Sequence, residues 1–243
     1  MGLLETGGSK NGGFIQAGIR QSGFVPVSKL NLLKDCIVAP FTGDNPATVV
    51  SLSASGDAIL SLGTSTTFLL SSDVLPKRST TSHLLAHPTD VRRKIVMLCY
   101  KNGALAREQV RDRCAKGDWH TFNEMVERTP PGCGGQLGFF FPLPEIIPQN
   151  VVGKYFFEST GVDTPFPVDD ISGFLHPRAI LESQLLSIRS RIERLLPKDE
   201  PRLRRLVLSG GGSANQVIRQ VAAVSKQKHL DHQPAPYIAL ISF

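Results

Sequence analysis

The chain has 243 residues, 41% hydrophobic and 20% charged, the composition of a globular protein with a sizeable core in one large or two small domains. No apolar run approaches the roughly 18 residues of a membrane span, and residues 1–10 carry no apolar signal core, so a soluble, cytoplasmic protein without a membrane partner is expected. The net charge of +6 is dispersed: Arg189, Arg191 and Arg194 alternate with Glu193 and are followed by Arg202, Arg204 and Arg205, which reads as a solvated helix face in preference to a nucleic-acid patch, so no nucleic-acid partner is expected.

In chain order, residues 1–31 are rich in Gly, Ser and polar residues and read as an irregular lead-in. Ile37 to Phe41 form a short apolar run closed by the turn residues Thr42-Gly43-Asp44-Asn45. Pro46 then suits a first helical turn, with a helix over Ala47 to Leu52. Ala58 to Leu62 and Thr66 to Leu70 predict a β-hairpin with Gly63-Thr64-Ser65 at its tip. A polar loop follows through Pro76 to Thr89, then a strand over Lys94 to Tyr100, a helix over Gly103 to Arg113 and a second helical stretch from near Trp119. Thr129 to Pro148 is dense in Gly, Pro and Phe without a period and reads as a structured lining loop. Leu181, Leu185, Ile188, Ile192 and Leu195 recur at helical spacing and predict the clearest helix, stopped by Pro197. Leu206 to Leu208 read as a buried strand, Ser209 to Ser213 as a glycine turn and Ala214 to Ala223 as a helix, so an α/β domain is expected.

Three segments have residues suited to chemistry, each with a plainer reading beside it. Asp44 beside Gly43 can accept a proton from a hydroxyl, with Asn45 bonding the same polar substrate; the pair is also an ordinary turn, which the residues alone favour. The tip Gly63-Thr64-Ser65 offers N–H groups and hydroxyls to phosphate oxygens, but Thr-rich hairpins are also simply good strands. It has no Lys of a P-loop. Gly210-Gly211-Gly212-Ser213-Ala214-Asn215 lets a nucleotide approach a helix N-terminus, or is a plain turn; the GxGxxG spacing is not met, since its third glycine would fall at Asn215. Trp119 can cover an adenine face or plug a core edge, and taken alone the core is favoured. The cysteines Cys36, Cys99, Cys114 and Cys133 include no CxxC pair, and the histidines form no metal constellation, so no metal site is assigned.

In this order the segments resemble the carbohydrate kinases named for their Phe-Gly-Gly-Tyr signature (FGGY), in the actin-like ATPase superfamily, and within that group the xylulokinases. The resemblance is carried by Ala39-Pro40-Phe41-Thr42-Gly43-Asp44-Asn45-Pro46-Ala47-Thr48, Ser61-Leu62-Gly63-Thr64-Ser65-Thr66-Thr67 and the run from Met97 to Glu108. Gly134 to Phe141 and Gly210 to Asn215 also fit. It implies an α/β, ribonuclease H-like (actin-like ATPase) domain, a mixed sheet with flanking helices, over residues 32–223, with 224–243 an atypical tail. The implied reaction is phosphorylation of D-xylulose by ATP, with Mg²⁺ on the phosphates. Asp44 matches the general base and, with Asn45, a sugar contact. Gly63, Thr64 and Ser65 match a phosphate-binding hairpin; Trp119, Gly211, Gly212 and Asn215 match nucleotide contacts.

Two departures bear on activity. The family has an N-terminal domain whose Asp-x-Gly-Thr hairpin grips phosphate and metal, and no Asp-x-Gly-Thr occurs here. Past Ala223 the sequence resembles nothing in the family. The chain is expected to be incomplete at both ends and weakly active or inactive alone, while a related kinase for another ketose or polyol, or a non-catalytic nucleotide-binding remnant, are the alternatives.

Overall fold

A computed structural model describes residues 43–53, 56–73, 76–77, 79–159, 164–195, 203 and 205–227. The apolar run Ile37 to Phe41, the lead-in 1–31 and residues 228–243 lie outside them. Asp44 opens the compact unit to which the elements below belong.

The hairpin forms as its pattern requires. Strands β1 (Asp57–Leu62) and β2 (Thr66–Ser72) pair antiparallel, and β2 pairs with β4 (Lys94–Tyr100). The short strand β3 (His83–Ala86) borders β4, and β8 (Arg205–Ser209) joins β1 in parallel, giving the order β3-β4-β2-β1-β8. Alternation along the strands feeds two cores. Ile59, Leu69, Ile95 and Val207 meet Val49 of helix α1 (Asp44–Leu52) on one face. Leu60, Phe68, Leu70, Val96, Leu98 and Leu208 point the other way. There they pack with helices α2 (Gly103–Ala115), α3 (Trp119–Arg128), α4 (His176–Leu195) and α5 (Gln216–Gln227). Central strand β2 is buried along its whole length.

Four elements differ from the sequence reading. Helix α1 begins at Asp44, three residues ahead of Ala47, because Asp44 suits the first turn of a helix, where its charge meets the positive dipole end. The polar loop holds β3, an exposed four-residue edge strand too short to leave a pattern. The Phe-rich segment holds β5 (Gln136–Phe141), which pairs with β6 (Gly153–Glu158) and β7 (Phe166–Val168) in a second, antiparallel sheet. Both faces of that sheet are aromatic, so no polar alternation advertises it: Phe140 and Phe156 sit edge to face beside His176, while Phe139 and Phe157 pair with each other. Helix α5 starts after a 3₁₀ turn at Gly211–Ala214 and runs to Gln227, four residues past Ala223, since neither Gly nor Pro interrupts it.

Two arginines of the cluster serve the structure. Arg205 donates to Asp57 at 2.6 and 3.1 Å across the β8–β1 pair, and Arg189 donates to Glu193 at 2.8 Å along α4. A buried clasp ties the end of α3 and the connection that follows it to α4. Arg178 donates to Glu182 at 2.7 Å and to the carbonyls of Val126 and Thr129, while Glu182 accepts from the Gly132 N–H at 3.0 Å. Burial and the Glu182 charge push the Cys133 thiol up to about 12.

Replacing Arg178 with Met strands the Glu182 carboxylate in the core and should cost about 3–5 kcal/mol. Replacing both residues with apolar ones should cost less, and urea unfolding of the two variants checks the difference. Because the folded-state thiol of Cys133 titrates above its ordinary value of 9.0, its contribution to stability is present below about pH 9 and lost as pH rises toward 12. Iodoacetamide at pH 9 should therefore leave Cys133 unmodified until the chain is unfolded, as peptide mapping would read.

Candidate functional site

Strand register brings three connections to one edge of the large sheet. Leu62 pairs with Thr66 across the hairpin, Thr66 pairs with Tyr100 at the end of β4, and Ser61 pairs with Ser209 at the end of β8. The tip Gly63–Ser65, the start of α2 and the glycine turn before α5 therefore lie side by side. Both helices present their N-termini there, where backbone N–H groups and the helix dipole favour an anion.

Close backbone approach explains two of the glycines. A Cβ on Gly103 would stand 2.7 Å from Thr66 Cβ, and the Ala104 N–H donates to the Thr64 carbonyl at 3.2 Å. Gly210 has φ 80° and ψ 169°, a conformation essentially confined to glycine. A Cβ there would stand 2.8 Å from Gly63 N and 2.9 Å from Leu62 C, so the turn and the hairpin tip touch through their backbones. Gly212 packs against Leu62 in the same way, whereas beside Gly211 the space is open. At the tip Thr64 is exposed and Gly63 and Ser65 are half-buried, with the Ser65 and Thr67 hydroxyls 3.2 Å apart.

Below this edge lies Arg107, 3% exposed. Its Nη1 donates to Thr66 Oγ1 at 2.9 Å and to Gln184 Oε1 at 2.7 Å, and Gln184 Nε2 donates to the Gly103 carbonyl at 3.0 Å. Burial lowers the Arg107 pKa to about 10, which leaves it charged at neutral pH. Buried Glu145 holds the β4–α2 junction by accepting from the N–H groups of Lys101, Asn102 and Ile146 at 2.6, 2.9 and 2.7 Å.

Asn215 and Trp119 meet through α3. The Asn215 Oδ1 caps α5, accepting from the Val217 and Ile218 N–H groups at 2.9 and 3.3 Å, and its Nδ2 donates to Asn123 Oδ1 at 2.8 Å. Asn123 is one helical turn beyond Trp119 and on the same side of α3. The half-buried Trp119 ring packs edge-on against Phe122 at 5.2 Å, with the Arg111 guanidinium 4.8 Å from its centroid. The indole is thus a core-edge residue, and its side of α3 also meets the glycine turn. Asp44 and Asn45 stand apart. Asp44 is exposed, its Oδ1 accepts from the Asn45 N–H, and no hydrogen bond joins either residue to the tip or the turn among the described residues. Helix α1, about 13 Å long, packs Val49 on the face of the sheet that holds Ile59, Leu69, Ile95 and Val207.

Sequence reasoning assigned nothing to Arg107, Gly103, Gln184 or Asn123. Arg107 lies four residues after Gly103 in a helix whose exposed face is also charged, so only tertiary packing marks it.

Residues 58–225 match the C-terminal domain of the FGGY family of carbohydrate kinases, and the chain belongs to that family. Its sheet with helices on both faces is the actin-like ATPase fold of these kinases. Among individual relatives it is 42% identical over 215 residues to a probable D-xylulose kinase A of Arthroderma otae, covering 77% of this chain and 37% of that one. It is 38% identical over 202 residues to xylulose kinase 2 of Arabidopsis thaliana, covering 79% and 36%. The crystal structure of xylulose kinase from Bifidobacterium adolescentis superposes with a TM-score of 0.61 at 25% identity, over 79% of this chain and 36% of that one. The chain thus spans well under half the length of the relatives it matches.

Two glycine substitutions should separate packing from access. Gly210→Ala forces a Cβ into the Gly63 backbone at a glycine-only conformation and should cost about 1–3 kcal/mol. Gly211→Ala meets open space and should change stability by no more than about 0.5 kcal/mol. Thermal unfolding of both variants checks the contrast.

Proposed function

We propose that this chain is the nucleotide-binding domain of a kinase that transfers the γ-phosphoryl group of ATP to D-xylulose, giving ADP and D-xylulose 5-phosphate. The observation that carries the reading is the backbone contact of Gly210 with Gly63, which joins two glycine-bearing connections and two helix N-termini at one sheet edge. The names of the relatives support the substrate. Residues 32–223 are proposed as the domain, with 1–31 and 224–243 outside it.

In this reading the N–H groups and hydroxyls of Gly63, Thr64 and Ser65 bind phosphate oxygens, and the open side of Gly211 with Gly212 admits the adenosine beside Asn215 and Trp119. Asn45 holds the sugar. Asp44, exposed in the first turn of α1, takes the proton of the attacking hydroxyl as that oxygen bonds to the γ-phosphorus and the bond to the bridging β,γ-oxygen breaks. Mg²⁺ belongs to the reaction as the counter-ion of the phosphates. The described residues do not fit a metal site of their own, since none of their His, Cys, Asp and Glu side chains cluster in threes. Among the described residues no helix is long and apolar enough to cross a membrane.

The test is an ADP-release assay with D-xylulose, run on this chain and on the chain joined to a family N-terminal domain. Turnover is expected in the joined protein and not in the 243-residue chain, because misplacing half of the cleft costs orders of magnitude. Asp44→Asn in the joined protein should lower kcat by about 10²- to 10⁴-fold. A folded joined protein that binds ATP but turns over neither D-xylulose nor other ketoses and polyols would instead mark a non-catalytic nucleotide-binding domain.

A further inference from the structure

Two arginines are buried among the described residues, and the fold treats them differently. Arg178 has a carboxylate partner, Glu182, at 2.7 Å. Arg107, 3% exposed, has only neutral acceptors, the Thr66 hydroxyl and the Gln184 amide oxygen, and no ion pair among the described residues. Glu108, exposed and next in sequence, acts on it through space alone.

A buried cation without a counter-charge is costly to fold. At the start of α2, one turn away, the Glu145 carboxylate is taken up by the N–H groups of Lys101 and Asn102 and does not hydrogen-bond to Arg107. Both Arg107 hydrogen bonds use Nη1, while Nη2 lies 3.7 Å from where a Cβ on Gly212 would stand, at the underside of the glycine turn. The charge is therefore directed at the edge where the hairpin tip, the glycine turn and two helix N-termini meet. An anion settling on that edge would supply the missing counter-charge.

We propose that Arg107 is the positioning charge of a phosphate site at this edge. From beneath, it raises affinity for the phosphates of the bound nucleotide. Through Thr66, and through Gln184 to Gly103, it holds the hairpin against α2. The inference rests on the nucleotide reading above and deepens it by naming the side chain that distinguishes a nucleotide from its nucleoside.

The test is calorimetric titration of the chain with ADP and with adenosine, at low and high salt, for the native sequence and for Arg107→Gln and Arg107→Lys. Arg107→Gln should lose about 10- to 100-fold in ADP affinity, the scale of a hydrogen bond to a charged group, with adenosine affinity kept within about twofold. Salt should weaken ADP binding to the native chain more than to Arg107→Gln. Arg107→Lys keeps the charge but not the fork, and should keep the preference for ADP over adenosine; it carries the test if Arg107→Gln does not fold. Equal losses for ADP and adenosine would overturn the inference and leave Arg107 a structural residue, as would an unchanged ADP affinity or a loss of the preference in Arg107→Lys. Failure of the folded native chain to bind either ligand would overturn the nucleotide reading itself, and the inference with it.

Discussion

Strand β8 enters the sheet parallel to β1, and the ends of that pair are held by two different contacts. At the start, Arg205 meets Asp57, its register partner. At the far end, Gly210 lies against the backbone of Gly63. Between them Val207 and Leu208 are buried on opposite faces of the sheet. A slip of one residue would move the glycine turn by about 3.3 Å and reverse the faces of the strand. It would also place an Arg where the half-buried Leu206 packs against the core. The register therefore decides whether the turn and the hairpin tip meet at all, and the candidate site depends on that meeting.

Carboxylates set into the interior do much of the remaining positioning. Glu145 gathers the N–H groups at the entry to α2, and Glu182 gathers Arg178 and the Gly132 N–H beside the second sheet. Each satisfies backbone or cationic donors that a purely apolar core would leave unpaired. Arg107 is the exception, a buried charge met only by neutral oxygens. Its unbalanced charge and the open space beside Gly211 fall at the same edge, where the fold has concentrated N–H groups and helix N-termini. Stability and ligand chemistry thus meet in a few residues that belong to different elements.

Much of the large sheet was legible in the sequence. Apolar runs closed by Gly and hydroxyl residues marked the β1–β2 hairpin, a plain apolar run marked β4, and a stripe at steps of three and four marked α4. The second sheet was not legible, because Phe on both faces removes the alternation that distinguishes a strand from a lining loop. Helix ends were less legible: the sequence reading started α5 at Ala214, whereas Asn215 caps a helix that begins at Gln216, and no glycine or proline there shows where that helix stops. Trp119 carried two readings, a core-edge ring and a ligand-facing one. Its contacts with Phe122 and Arg111 set the ring at a core edge, and the Asn123–Asn215 bond sets its helix beside the glycine turn.

The sequence by itself determined most elements of the large sheet and its helices and the residue types at the hairpin tip and the glycine turn, because period, turn chemistry and glycine content act over a few neighbouring residues. It also carried the family resemblance, since the motifs stand in order along the chain. Only the tertiary structure decided that Gly63 touches Gly210, that Gly103 must be small to admit Thr66, and that Arg107 lies uncompensated beneath both. These are relations between residues far apart in sequence. They are fixed by strand register and helix packing, which no local pattern encodes.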